Sequence, residues 1–398
     1  MKIAISGAGV AGPTLAYWLM RAGHEPLLIE RAPHLRTRGY IIDFWGLGYD
    51  LAERMGILPQ VQEAGYAVES VRLVDGNGRT AGSFDTDVFR KALGNRFASL
   101  PRGDLAAAIY QALGSDVEAL FATTITAIDE HSSGVRVALS NGDEREVDLV
   151  VGADGLHSSV RSIVFGSKQR FERPLGYHVA AFEAPGYAPR DERAYVSYAA
   201  PGRQISRFAE RGGRTLFLFV FADTWVDGIA PANPEERKQM LARVFSCVGW
   251  EWPRIREMLE ATDDIYFDRV SQIHMDSWSK GRVALVGDAA ACVSLLAGEG
   301  AGLGMAEAYV LAHALAEANG DYRQAFAAYE ARLRPLIERK QRSARGFART
   351  FAPRTALGIW FRNHAASLLR FPKFAEMFVT GDLRDDFALP DWHSMQKE

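Results

Sequence analysis

Three short motifs carry the residue types that could do chemistry. The first, Gly7-Ala8-Gly9-Val10-Ala11-Gly12, has the glycine spacing of a turn that holds a pyrophosphate. Gly7 permits the tight turn, Gly9 lets a phosphate approach the backbone, and Gly12 lets a helix pack closely on a strand. Free N–H groups and a partial positive charge at the helix start then face the anion. Glu30, eighteen residues after Gly12, is spaced to accept hydrogen bonds from an adenosine ribose and would repel a 2′-phosphate. The second motif is Gly152-Ala153-Asp154-Gly155, followed by Ser158 and Arg161; the third is Gly287-Asp288-Ala289-Ala290, followed by Gly298, Gly300, Gly302 and Gly304. Each follows an apolar run and offers backbone N–H groups with one carboxylate, as at the ligand-binding edge of an open α/β sheet. Together they predict a dinucleotide site. The first motif alone does not separate a flavin from a nicotinamide dinucleotide.

The elements needed to position these motifs are also legible. Lys2 to Ser6 reads as a buried strand, Val10 to Arg21 as a helix and Pro26 to Glu30 as a second strand, a β-α-β unit that implies a parallel sheet. Asp104 to Leu113 reads as a helix, Gly134 to Leu139, Glu146 to Val151 and Arg282 to Val286 as strands of the same domain, and about Gly302 to Asn319 as a helix. Tyr177 to Phe182, Ala194 to Tyr198 and Thr215 to Phe221 are β-branched and aromatic runs without intervening helices, which predicts a second, mainly antiparallel sheet. Val71 to Phe84, turning at Asp75-Gly76-Asn77-Gly78, is a hairpin that joins it. The second domain is therefore inserted into the first. Expected boundaries are 1–70, 101–168 and 276–345 for the nucleotide domain, 71–100 and 169–275 for the inserted domain, and 346–398 for a C-terminal helical segment.

Composition narrows the class. The 398 residues are 48% hydrophobic, enough for a large core without staples. A formal net charge of -3 gives no global field for nucleic acid. Cys247 and Cys292 lack the spacing of a disulfide framework or zinc site and fit a reducing compartment. With no export signal, and with Glu299, Glu307 and glycines interrupting the apolar stretch Ala289 to Ala316, a cytoplasmic protein without stable membrane association is expected. No Ser-His-Asp spacing, H-E-x-x-H or phosphate P-loop is present. His157 reads as a surface or capping residue, and Cys292 as a small buried filler.

The ordered set G-x-G-x-x-G, D-G, G-D over about Met1 to Asn319 resembles the single-component, FAD-dependent aromatic hydroxylases, the class A flavoprotein monooxygenases. Gly39-Tyr40-Ile41-Ile42-Asp43-Phe44-Trp45-Gly46 and Ser294 to Gly300 are most similar to the tetracycline-inactivating and polyketide-tailoring branch. Ala291, Leu295 and Gly302 depart from the histidine, proline and asparagine common in the family. The resemblance implies a Rossmann-like α/β FAD-binding domain with an inserted antiparallel substrate domain and C-terminal helices. It implies that Gly7, Gly9, Ala11, Gly12, Glu30, Arg31, Arg102, Asp154, Gly287, Asp288, Gly298, Gly300 and Ala301 bind cofactor. Within that set, Arg102 sits at a helix start, Asp288 holds the ribityl chain, and Asp154 serves both FAD and a transient NADPH or NADH.

By the same resemblance, a nicotinamide reduces the flavin, O2 forms a C4a-hydroperoxyflavin, and one oxygen passes to an aromatic or polycyclic phenol-like molecule. With no second G-x-G-x-x-G in the chain, the hydride donor is expected to bind only transiently. Alternation over Leu216 to Phe221 nominates Phe217, Phe219 and Phe221, with Arg203 and Arg207, for a planar substrate, or as ordinary sheet core. No catalytic base is nominated. Trp250-Glu251-Trp252-Pro253 is superficially similar to the halogenase W-x-W-x-I-P motif, but reads better as a packed tryptophan pair. The alternatives are a flavoprotein reductase or dehydrogenase without oxygen insertion, and a flavoprotein that sequesters a hydrophobic ligand.

Overall fold

The computed structural model describes residues 1–35, 40–226, 231–371, 373–374 and 386–392. Gly39 lies outside the described residues.

The apolar runs predicted as parallel strands line up in a six-stranded sheet. Its order is Ser279–Lys280, Val283–Leu285, Leu149–Gly152, Lys2–Ser6, Glu25–Ile29 and Glu118–Leu120, parallel except at the first pair. Strands buried on both faces need layers on both sides. The helix Ala11–Arg21 and the 18-residue helix Gly300–Glu317 supply one of these, within a core that includes Ile5, Leu28, Val151 and Leu285.

The stretch Glu146 to Val151 is not one strand. Glu144–Val147 belongs to a separate antiparallel sheet with Val135–Leu139 and Ile125–Glu130, and Leu149–Gly152 belongs to the parallel sheet. Asp148 makes the break: its N–H donates to Lys2 O at 2.8 Å, and its Oδ2 accepts from Lys2 N at 2.7 Å. A single aspartate between Val147 and Leu149 is too brief an interruption to divide the run by pattern alone.

The second sheet has seven strands, in the order Tyr266–Ile273, Glu172–Pro185, Arg214–Ala222, Arg203–Ala209, Ala194–Ala200, Ser70–Val74 and Thr80–Asp85. All pairs are antiparallel except Ala194–Ala200 with Ser70–Val74. The Asp75 turn closes the hairpin, with Asp75 Oδ1 accepting from Asn77 N and Arg79 N at 2.9 Å each. The helices Pro234–Val244 and Trp252–Ala261 bury one face of this sheet through Leu241, Phe245, Trp252 and Ile255. The other face packs Tyr177, Val179 and Val220 against Leu296 of the glycine-rich segment. A long helix, Tyr322–Phe351, and a shorter one, Ala356–Leu368, end the described chain's helical part.

Candidate active site

The glycine turn forms for backbone reasons. Gly7 has φ +108° and its N–H donates to Ile29 O at 2.7 Å; a Cβ there would lie 2.5 Å from Ala153 O. A Cβ on Gly12 would lie 1.9 Å from Gly7 O. The first turn thus touches the second motif directly, and the strands carrying them are neighbours in register, Ser6 opposite Gly152. Gly9 is open except toward Arg102, whose guanidinium lies 3.7 Å from where a Gly9 Cβ would be. Arg102 begins the helix Arg102–Gln111, and its N–H donates to Tyr40 O at 3.2 Å.

Glu30 turns inward. Its Oε2 accepts from Ala8 N at 2.7 Å and its Oε1 from Ala32 N at 2.8 Å. Each carboxylate oxygen has a second lone-pair site, so the half-buried group retains capacity for a ribose hydroxyl. The neighbouring Arg31 is exposed.

Asp154 caps a helix with one oxygen and keeps the other. Its Oδ2 accepts from Ser159 N, Ser159 Oγ and Val160 N at 2.8, 2.9 and 3.1 Å, while Oδ1 is buried without a protein partner. An orphaned buried acceptor at a glycine turn fits a polar ligand. Arg161, fully buried, joins the second and third motifs: it donates to Leu156 O at 2.7 Å and to Ala289 O at 2.8 Å. Nothing local in the sequence announces this bridging role of Arg161. His157 is half exposed, with Nε2 2.9 Å from Asp268 Oδ2. Cys292 is buried, and burial pushes its thiol well above the usual range.

In the third motif, Gly287 has φ +63° and Asp288 opens the short helix Asp288–Ala291. Ala11 lies against Gly287 and Gly304, 3.3 and 3.5 Å from their ideal Cβ positions, so the first turn, the third turn and the helix Gly300–Glu317 meet. A Cβ on Gly300 would sit 3.7 Å from Asp288 Oδ1, and Gly298 has φ +73°. Ala301 lies in the first turn of that helix and is half-buried. Burial raises the Asp288 pKa, and the Arg102 charge opposes the rise. This set of glycine cradles, the Asp154 orphan oxygen and the Arg102–Asp288 pair of charges fits an anionic dinucleotide with a polar chain.

The cleft continues toward the antiparallel sheet. The rings of Tyr40 and Tyr266 pack on each other there, with centroids 5.8 Å apart. Desolvation by neighbouring groups raises the Asp43 pKa, and the 2.5 Å hydrogen bond from Ser99 Oγ opposes the rise. Gly298, Gly302 and Trp45 line the same small cavity as Asp43. Sequence reading quoted Tyr40 and Asp43 only as part of a resembling segment, and it missed Ser99, which only the strand pairing of Ile41–Trp45 with Phe97–Pro101 brings opposite. A larger cavity of about 380 Å³, lined by Tyr66, Phe208, Glu210 and Arg211 among others, contains none of the motif residues.

The substrate candidates lie elsewhere. Phe217 and Phe219 are fully buried in the core under the two helices, with Phe221 beside them. Arg207 is 3% exposed and pairs with Glu251 at 3.0 Å and with Asp191. Arg203 donates to Val244 O at 2.7 Å and stacks on Trp225. These residues share the helix-covered face, because Arg203, Ile205 and Arg207 stand opposite Phe221, Phe219 and Phe217 in register. The alternate set, with Gln204 opposite Val220 and Ser206 opposite Leu218, faces the other side, where both are buried and Arg362 donates to Gln204 Oε1 at 2.5 Å. Trp252 is core, and Glu251 partners Arg207.

Comparison with known proteins agrees with this geometry. Residues 1–343 match the family described as FAD binding domain. A Mycobacterium tuberculosis protein named only as uncharacterized is 36% identical over 347 residues, covering 85% of this chain and 91% of that one. A Legionella longbeachae protein named flavin-dependent monooxygenase is 34% identical over 352 residues, covering 86% and 87%. The crystal structure of the tetracycline destructase Tet(51) superposes with a TM-score of 0.81 at 31% identity, covering 98% of both chains.

Proposed function

Because this chain belongs to the FAD-binding family of flavin-dependent monooxygenases, we propose that it consumes NADPH or NADH to insert one oxygen atom of O2 into an aromatic or polycyclic phenol-like small molecule. The observation that carries this reading is the meeting of the three motif turns beside the face of the antiparallel sheet that Leu296 covers. Leu296, two residues before Gly298, packs on Val220, and Gln204 stands opposite Val220. The similarity to a tetracycline destructase supports a polycyclic substrate.

When bound, FAD supplies two-electron reduction and activation of O2. The chain's residues do the rest. Backbone N–H groups of Gly9 to Gly12, at the helix start, hold the pyrophosphate, and Glu30 holds the ribose. Asp288 would accept from the ribityl hydroxyls, Asp154 would serve both FAD and the transient nicotinamide donor, and Arg102 would meet the cofactor's negative charge. The helix Gly300–Glu317 presents a positive dipole end that favours negative charge on a reduced ring. Asp43, held by Ser99, orients a substrate hydroxyl, and the packed rings of Tyr40 and Tyr266 help to exclude water. No metal is needed for these roles, and no group of side chains suited to hold one occurs among the described residues.

Stopped-flow reduction by NADH and NADPH, with and without a phenol and polyketide panel, tests the reading. A ligand that accelerates flavin reduction and leaves as a product one oxygen heavier is expected. Equal reduction rates across the panel, with all O2 leaving as peroxide, would overturn it. Anaerobic turnover of a carbonyl or alkene would select a reductase instead.

A further inference from the structure

The helix Ala356–Leu368 is built inside out. Three of its four polar side chains face the protein: Arg362 donates to Gln204 Oε1 at 2.5 Å and to Phe351 O at 2.8 Å, Asn363 is 6% exposed, and Ser367 Oγ accepts from Ser83 N at 3.4 Å, while His364 is exposed. Its large apolar residues face outward. Leu357, Trp360, Phe361 and Leu368 are 75, 56, 67 and 46% exposed, and Phe371 and Phe374 extend the row at 45% each. Leu357, Phe361 and Leu368 recur at the spacing that puts side chains on one helix face. A surface helix ordinarily shows the reverse arrangement, and a continuous outward apolar row marks a contact surface.

The segment that carries this row is basic up to Lys373, where Glu376 and Asp382 follow in sequence; of its cations, Lys340 pairs with Glu299 and Arg362 faces inward. From Arg339 to Lys373 the chain has nine Lys and Arg and no Asp or Glu, although its overall net charge is -3. Arg349, Arg354, Arg370 and Lys373 are exposed.

We propose that this helix docks the protein reversibly on an anionic lipid surface, with Leu357, Trp360 and Phe361 entering the headgroup region and the flanking cations facing lipid phosphates. Charge selects this occupant. A second copy docked through the same face would set two cationic runs side by side, which opposes association. Aromatic and aliphatic residues on one face, flanked by Arg and Lys, are what an interfacial helix requires. The helix has 13 residues and lies on the surface; no described helix is long and apolar enough to cross a membrane. The inference is independent of the substrate reading. Its inner-face anchor, Arg362 to Gln204, places the docking helix beside the Gln204 face of the sheet.

Co-sedimentation of the full-length protein with phosphatidylcholine vesicles, with and without phosphatidylglycerol, tests it at low and high salt. Binding to the phosphatidylglycerol vesicles alone is expected, weakened by salt, with roughly a fivefold loss for each engaged cation removed by Arg370→Gln or Lys373→Gln. The Trp360→Ser/Phe361→Ser variant should stay in the supernatant with an unchanged thermal melt. Absence of binding to anionic vesicles at low salt would overturn the proposal, as would unchanged binding of these variants. So would a dimer, broken by Trp360→Ser/Phe361→Ser, that does not bind vesicles.

Discussion

The Gly287 N–H donates to Glu307 Oε2 at 2.6 Å across twenty residues of chain, so the turn that presents Asp288 is held from behind by a carboxyl that is 2% exposed. Tyr329 OH lies 3.2 Å from the same oxygen and 3.1 Å from Leu285 O, its single proton shared between these two acceptors, which links the turn to the strand before it. Glu307 is a positioning residue for the third motif.

Glu307→Gln keeps an acceptor for Gly287 and should leave FAD affinity nearly unchanged. Glu307→Leu strands a buried N–H, at a cost of about 1–3 kcal/mol. Titration of apoprotein with FAD, read by flavin fluorescence, should show weaker binding in the leucine variant only. Equal affinities in all three proteins would remove the positioning role.

The same carboxyl makes stability fall as pH rises. Burial raises its pKa from 4.5 to about 8, so the folded state holds the proton more tightly than the unfolded chain. Its contribution is complete below the unfolded pKa and is lost as pH rises through the folded one, a few kcal/mol at most by linkage. Urea unfolding between about pH 5 and pH 8 should decline more steeply for the wild type than for Glu307→Gln. Parallel declines would contradict the assignment.

Gly12→Ala tests the first turn. Its Cβ would fall 1.9 Å from Gly7 O, a backbone atom that cannot rotate away. The purified variant should lose its flavin absorbance while keeping most of its far-ultraviolet circular dichroism. A variant as yellow as the wild type would show that the turn does not grip the pyrophosphate.

The glycine turns were legible because their demands are local: a positive φ at Gly7 and Gly287, and no room for Cβ at Gly12. The face of the strand Arg214–Ala222 was not. Its residues are apolar on both sides because helices cover Phe217 and Phe219 while Leu296 covers Val220, so alternation gives no polarity cue. Glu307 carried a signal, a lone acid inside an apolar helix, but its partner Gly287 is fixed only by tertiary packing. Ser99 and Asp43 are fifty-six residues apart and meet through strand pairing that no local pattern announces.

The two faces of that sheet should separate stability from substrate binding. Phe219→Ala removes a fully buried ring and should cost about 3–5 kcal/mol, lowering the thermal midpoint without altering the KM of folded enzyme. Asp43→Asn should do the opposite, leaving the midpoint in place while raising KM or diverting O2 to peroxide. A KM shift from Phe219→Ala in fully folded protein would move the substrate to the helix-covered face.

The central claim is that three turns, far apart in sequence, form one FAD site. Stripping the protein of nucleotide and titrating FAD back, with release and quantitation of bound flavin, tests it most directly. The account predicts saturation at one FAD per chain, with loss of binding in Gly12→Ala and marked weakening in Asp288→Ala. Protein that stays colourless in excess FAD, or that binds it equally well with both turns altered, would contradict it.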